Sequence, residues 1–263
     1  MTISKVEATD ISFDELKEGS ELYIQRRNRR LLNNHRKELR VFTKAEAVAY
    51  LDIDARTLDK YCKALKINPR RHEESQWLLD IEEVYKVRDS LPDELKKQLP
   101  FVRSESQDLQ VIVVQNQKGG VGKTVTAATA ASGLATEFHQ NYRVGLIDMD
   151  GQGTLSMYYA PESAQEGCLS VGDLIMGNYE LDENETLKEA ISEAFLPTTI
   201  PNLRILPASQ SDRAIEGWFH EAVFNQQLSS PYSILHDIIE QVKDEFDIII
   251  IDTPPSLGYA TYN

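Results

Sequence analysis

Apolar residues are spaced in two different ways along this chain, and the change falls near residue 110. Before it they recur at helical intervals. Leu22, Leu31, Leu32 and Leu39 mark a helix over roughly 21–40 whose apolar seam is too thin to bury in a core. Such a helix docks on a neighbour, often its own copy. Ser12 followed by Glu15 is a capping-box pattern that favours a helix start ahead of it. Thr43 and Glu46 repeat the pattern and predict a short helix through Leu51. Asp54 can cap a second helix to about Leu65, in which Leu58, Tyr61, Cys62 and Leu65 share one face. Asp80 caps a third, with Ile81, Val84, Tyr85 and Arg88 together.

From Ser90 to Gln110 the composition turns to Pro, Ser and charge, as an inter-domain connection does. Beyond it, short unbroken apolar runs alternate with helical stretches. The runs are Val111–Val114, Val144–Ile147, Leu203–Leu206 and Ile248–Ile251, with helices predicted over Ala127–Thr136 and Ile234–Val242. Runs of this length separated by helices predict an α/β fold with a parallel sheet covered on both faces. No internal repeat or low-complexity tract is present. The division that follows is 1–40, a helical dimerisation segment; 41–105, a small helical domain; and 106–263, the sheet domain.

Charge changes the picture of the middle segment. The 263 residues carry a formal net charge of −14, which taken alone argues against a nucleic-acid partner. Residues 26–71, however, hold 14 Lys and Arg against 5 Asp and Glu. A basic block in an acidic chain is either a solvated helix face or an electrostatic footprint for phosphates. Its setting favours the second. Helix, three-residue turn and basic amphipathic helix form the helix-turn-helix pattern, whose second helix enters the major groove. INPRRHEESQWLLD then fits the hairpin of a winged helix-turn-helix. The groove candidates are Arg56, Thr57, Lys60 and Lys63, and the phosphate candidates Arg70 and Arg71.

Composition excludes other classes. No 18-residue apolar run is present, so no membrane-spanning helix is expected, and MTISKVEATD lacks the features of a signal peptide. Cys62 and Cys168 match no metal or redox spacing, which fits thiols in a reducing cytoplasm.

The chemistry lies in QNQKGGVGKTVTAA, starting at Gln115. Gly119, Gly120 and Gly122 let backbone N–H groups close around phosphate oxygens, and the following helix aims its positive end at the same anion. Lys123 can reach the β- and γ-phosphates, and Thr124 can hold Mg²⁺. Gln117 stands where the usual G-x-x-x-x-G-K-[ST] pattern begins with glycine. LIDMDGQG places Asp148 and Asp150 at a strand's carboxyl end, where parallel sheets bind ligands. It also mimics a calcium loop, but Tyr159 occupies the position where that loop needs glutamate. FDIIIIDTPPS ends a buried strand in Asp252, placed for the magnesium shell.

KGGVGKT, DMDGQG and IIIIDTPPS together resemble the deviant Walker ATPases, and among them the ParA partition proteins. The helical start resembles the larger ParA/SopA subgroup, and LSVGDLIMG and ILPASQ are similar to segments of that group. The resemblance implies ATP or ADP with Mg²⁺ as cofactors, contacted by Gly119, Gly120, Val121, Gly122, Lys123, Thr124, Val125, Asp148 and Asp252. It implies a homodimer in which Lys118 crosses to the partner's nucleotide, and in which Asp150 orients the attacking water. It further implies operator and non-specific DNA, a ParB-like centromere-binding partner, repression of its own operon, and a cytoplasmic, nucleoid-associated protein. Val125 and Gly151 depart from the family's common threonine and proline. Relatives continue well beyond the equivalent of Asn263, so the sheet domain is expected to be incomplete.

Three other functions compete. One is a DNA-binding repressor whose nucleotide domain only senses ATP or ADP. A MinD-type ATPase is disfavoured by the DNA-binding start, and phosphoryl transfer to a metabolite lacks a readable substrate pocket.

Overall fold

The computed structural model describes residues 40–255 except 73–75, 97–100, 102, 105, 138–139, 161–167 and 226–232. The helices expected over 12–15 and 21–40 lie outside the described residues, which belong to one compact unit.

Residues 41–90 run β1 (Val41–Thr43), α1 (Lys44–Leu51), α2 (Ala55–Ala64), β2 (Arg70–His72), β3 (Gln76–Asp80) and α3 (Ile81–Ser90). Local chemistry sets these boundaries. The Thr43 hydroxyl accepts the Glu46 N–H at 3.3 Å and the Glu46 carboxylate accepts the Thr43 N–H at 2.8 Å, closing the expected capping box. Asp52, in the left-handed region with φ 53°, ends α1. Asp54 then accepts from the N–H groups of Arg56 and Thr57, and Asp80 and Glu83 cap α3. The strands form an antiparallel sheet of order β1-β3-β2. Phe42, Ala47, Leu51, Leu58, Cys62, Leu79 and Val84 fill the core between sheet and helices. Leu65 departs from expectation: α2 ends at Ala64, the chain turns through Lys66 at φ 55°, and Leu65 is left exposed.

The second sheet has order β4-β8-β5-β7-β6, from β4 (Gln110–Val114), β5 (Val144–Asp148), β6 (Leu196–Pro197), β7 (Leu203–Leu206) and β8 (Ile248–Asp252). The first four in that order are parallel. β6 is antiparallel to β7. Two residues ending in proline leave no periodicity to detect, and β6 was not expected. The four isoleucines of β8 divide by alternation. Ile250 joins a cluster with α4 (Lys123–Ala135) and α5 (Thr154–Tyr159). Ile249 and Ile251 join the opposite one, with α6 (Val171–Met176), α7 (Leu187–Ala194), α8 (Ile215–Phe224) and α9 (Ile234–Val242). Ala127, Ala131 and Ala135 form the buried stripe of α4, small enough for the helix to lie close on the sheet.

Cover on both faces is not uniform. Among the described residues β4 pairs along one edge only, with β8, and its Val111, Ile112 and Val113 are each more than two-fifths exposed. At the other end of the sheet strands, α3 of the helical part meets the start of β7, where the Asn202 amide donates to the Asn141 side chain at 2.6 Å and reaches the Tyr85 hydroxyl at 3.5 Å. No helix among the described residues is long and apolar enough to cross a membrane.

Candidate functional site

The loop from Gln115 to Gly122 links the carboxyl end of β4 to α4. Gly120 and Gly122 have φ of 73° and 90°, conformations that side chains with a Cβ rarely adopt. A Cβ at Gly119, Gly120 or Gly122 would meet nothing within 4 Å, so these positions border open space. Gly122 is the N-cap of α4 and offers no side chain to its first turn. The donors that begin a helix are therefore left for an external acceptor, at the end where the helix dipole favours an anion. Lys123 and Thr124, the first two residues of α4, are half-buried, while Val121 and Val125 are exposed. Lys118 is exposed, and its backbone N–H is held by the Asn116 side chain at 2.9 Å.

Three carboxylates stand nearby. Asp148 ends β5 and Asp252 ends β8, side by side in register. Asp252 is 1% exposed, and neither of its carboxylate oxygens has a hydrogen-bond partner among the described residues. Burial and the charge of Asp150 push its pKa up, against the pull of the Thr124 hydroxyl and Lys123. A buried carboxylate without a donor is what a cation would neutralise. No cluster of three or more His, Cys, Asp or Glu that could hold a metal occurs among the described residues. Mg²⁺ takes one or two carboxylates and completes its shell with water and phosphate.

Asp148 differs. Both of its oxygens are engaged by the protein, one by the Asp150 N–H at 3.2 Å and the other by the Ser156 N–H and hydroxyl at 3.0 and 2.7 Å. Burial pushes its pKa up to about 6 against those donors. Asp148 thus supports the loop from behind. Asp150 is half-buried, and one of its oxygens accepts from the Gln152 N–H at 2.9 Å. The N–H and hydroxyl of Thr253 both reach the Val114 carbonyl, tying the end of β8 to the start of the phosphate loop.

The two segments similar to the ParA/SopA subgroup meet here. Ser170 caps α6 and donates to Asp212, in the turn after β7, at 2.7 Å. A Cβ on Gly172 would lie 2.3 Å from the Asp212 carboxylate, so only glycine fits. Gly151, where relatives carry proline, faces Arg213, whose Cγ lies 3.0 Å from where a Cβ would be. Asn116, Ser156, Asp212 and Arg213 were missed from the sequence. Each acts through contacts that its own residue type does not announce.

On the helical part, Arg56, Lys60 and Lys63 of α2 are exposed. Thr57 is half-buried, and its hydroxyl donates to Asp54 at 2.7 Å, so it serves the cap. Arg70 and Arg71 lie on β2, opposite Leu78 and Trp77.

A family model described as an AAA domain matches residues 109–263. A Rhizobium rhizogenes protein provisionally named replication protein A is 30% identical over 231 residues, which are 86% of this chain and 55% of that protein. The chromosome partitioning protein ParA of Myxococcus xanthus is 36% identical over 155 residues, 59% of this chain and 47% of its own. A solved structure described as a partition protein shares the fold over 94% of this chain and 67% of its own, with a TM-score of 0.66 at 22% identity. The chain spans about half the length of the curated relatives it matches. With an AAA-domain match over more than half of its length and partition proteins among its relatives, the chain belongs to the ParA-type partition ATPase family.

Proposed function

We propose that this chain is the nucleotide- and DNA-binding part of a partition ATPase that hydrolyses ATP in a dimer and represses its own operon. The observation that carries the reading is the pairing of an uncapped α4 N-terminus in a glycine loop with a buried, partnerless Asp252 one strand away. One half fits a polyphosphate and the other the cation that accompanies it. Gly119, Gly120, Val121 and Gly122 would hold phosphates through backbone N–H groups, and Lys123 would neutralise the β- and γ-oxygens. The Thr124 hydroxyl would hold Mg²⁺ directly and Asp252 through water. Magnesium would supply charge neutralisation on the phosphoryl oxygens. Asp150, on the loop beside them, would orient the attacking water. Lys118, exposed and held at its backbone N–H by Asn116, would reach a second copy's nucleotide, as an arginine finger does. Exposed Val121 and Val125, with exposed Tyr158 beside Val125 on the α4–α5 groove, support a contact between copies on this side.

Residues 41–105 are proposed to bind DNA as a winged helix-turn-helix. α2 carries Arg56, Lys60 and Lys63 to the major groove, and the β2–β3 hairpin carries Arg70 and Arg71 to phosphates. Residues 1–40 are proposed to strengthen the same ATP-dependent pairing of two copies. A ParB-like partner stimulating turnover, and a cytoplasmic location on the nucleoid, complete the reading.

Sedimentation of the 263-residue chain with ATP, ADP or neither tests it. ATP should produce dimer in the parent, and Lys118→Ala should bind ATP yet stay in its nucleotide-free state. A distribution indifferent to nucleotide in both proteins overturns the dimeric mechanism.

A further inference from the structure

We infer that Ser156 is a positioning residue: its buried hydroxyl clamps the Asp150 loop to the segment that follows β7. Ser156 is 2% exposed and is the third residue of α5. α5 begins awkwardly. Its N-cap, Gly153, sits in the left-handed region at φ 61° and has no side chain to satisfy the first turn. The missing acceptor comes from the strand before it, where one oxygen of Asp148 takes both the Ser156 N–H and its hydroxyl proton. A hydroxyl has one proton to give, so Ser156 Oγ is left as an acceptor on its other side. The Ala208 N–H fills that role at 2.8 Å.

The result is a continuous buried chain. Asp150 N–H meets Asp148, Asp148 meets Ser156, and Ser156 meets Ala208. The last link is held from the other direction too, since the Pro207 carbonyl accepts the Val171 N–H of α6 at 2.8 Å. The Ala208 carbonyl lies 3.4 Å from where a Cβ on Gly153 would stand, so the two segments also touch without the serine. What Ser156 adds is a fixed distance between them. Buried charge-assisted bonds of this kind hold geometry more stiffly than loop packing does.

The consequence for the reaction rests on the reading above, in which Asp150 orients the attacking water. Asp148 is fully buried behind the loop and turned to the Asp150 N–H and to Ser156. Its effect, and that of Ser156, passes through the backbone of Asp150.

The test is Ser156→Ala in the whole chain, compared with Ser170→Ala, which removes another buried hydroxyl from the Asp212 cluster. Three quantities are measured: amide hydrogen exchange, affinity for a fluorescent ATP analogue, and turnover at saturating ATP. Exchange at residues 150–153 and at Ala208 and Ser209 should rise together by about tenfold or more in Ser156→Ala. Affinity should stay within about threefold while turnover falls about tenfold, the split expected of a residue that acts at the chemical step. Ser170→Ala should leave exchange at 150–153 unchanged. Faster exchange confined to α5, or turnover that keeps pace with the parent, overturns the proposal. Should the parent itself show no turnover, the ATPase reading fails separately, and the paired exchange still decides whether the clamp exists. If Ser156→Ala does not fold, Ser156→Cys, similar in shape but weaker as donor and acceptor, carries the same comparison.

Discussion

Asp252→Leu should make the nucleotide-free protein more stable and deprive it of its response to magnesium and ATP. Leucine copies the branching of aspartate, so the replacement changes chemistry more than shape. The side chain is buried, at 1% exposed, and neither oxygen has a hydrogen-bond partner among the described residues. Leaving such a group unsatisfied costs roughly 1–3 kcal/mol, and more when it is charged. The Thr124 hydroxyl and Lys123 offset part of this by attraction, and Asp150 adds to it by repulsion. Removing the carboxylate should therefore gain about 1–3 kcal/mol. For a domain of this size that is a rise of about 2–12 °C in Tm. The parent, in turn, should gain about 4.1 kcal/mol when Mg-ATP is present at a thousand times its Kd. Thermal unfolding with and without Mg-ATP should thus reverse the order of the two proteins. A variant that melts below the parent without ligand would show that Asp252 has a structural partner, and the reasoning from its isolation would be wrong.

Gly172→Ala would place a Cβ 2.3 Å from the Asp212 carboxylate, and denaturant unfolding should show a loss of about 1–3 kcal/mol or more. Val125→Thr adds a hydroxyl at a site 68% exposed, so Tm should hardly change while ATP affinity rises severalfold, about 1 kcal/mol by calorimetry. Glu46, Asp54 and Glu189 each have pKa values lowered by the cap bonds they accept, from ordinary values of 4.5, 3.8 and 4.5. A depressed carboxylate contributes stability that is complete above its unfolded pKa and is lost as pH falls through its folded one. Far-ultraviolet circular dichroism against pH should therefore show helix loss beginning below about 4.5; helicity that is flat down to pH 3 would contradict it.

Much of the fold was legible because local chemistry and tertiary burial agree. Thr43, Asp54 and Asp80 cap the helices they were expected to cap, and all four apolar runs are strands. The phosphate loop was readable because glycine spacing reports directly on a backbone that needs positive φ. Other features depend on distant partners. Leu65 fits the apolar face by spacing, but the helix ends one residue earlier. β4 has the same composition as the buried strands, yet among the described residues it pairs with β8 alone and its side chains stay exposed. Asp148 and Asp252 look alike at the ends of their strands. Asp148 accepts three bonds, two of them from Ser156, while neither Asp252 oxygen has a hydrogen-bond partner within normal distance among the described residues.

In the proposed reading, the two parts act together: nucleotide in the glycine loop strengthens DNA binding by the helical part. The measurement that tests it is binding of the 263-residue chain to a DNA fragment from upstream of its own gene. It is made with ADP, with ATP and with neither, beside Lys123→Ala. Nucleotide should strengthen binding in the parent and have no effect in the variant. Tight binding that ignores nucleotide would make the chain a repressor that carries an uncoupled ATPase domain, and no binding at all would contradict the assignment of the basic face of α2.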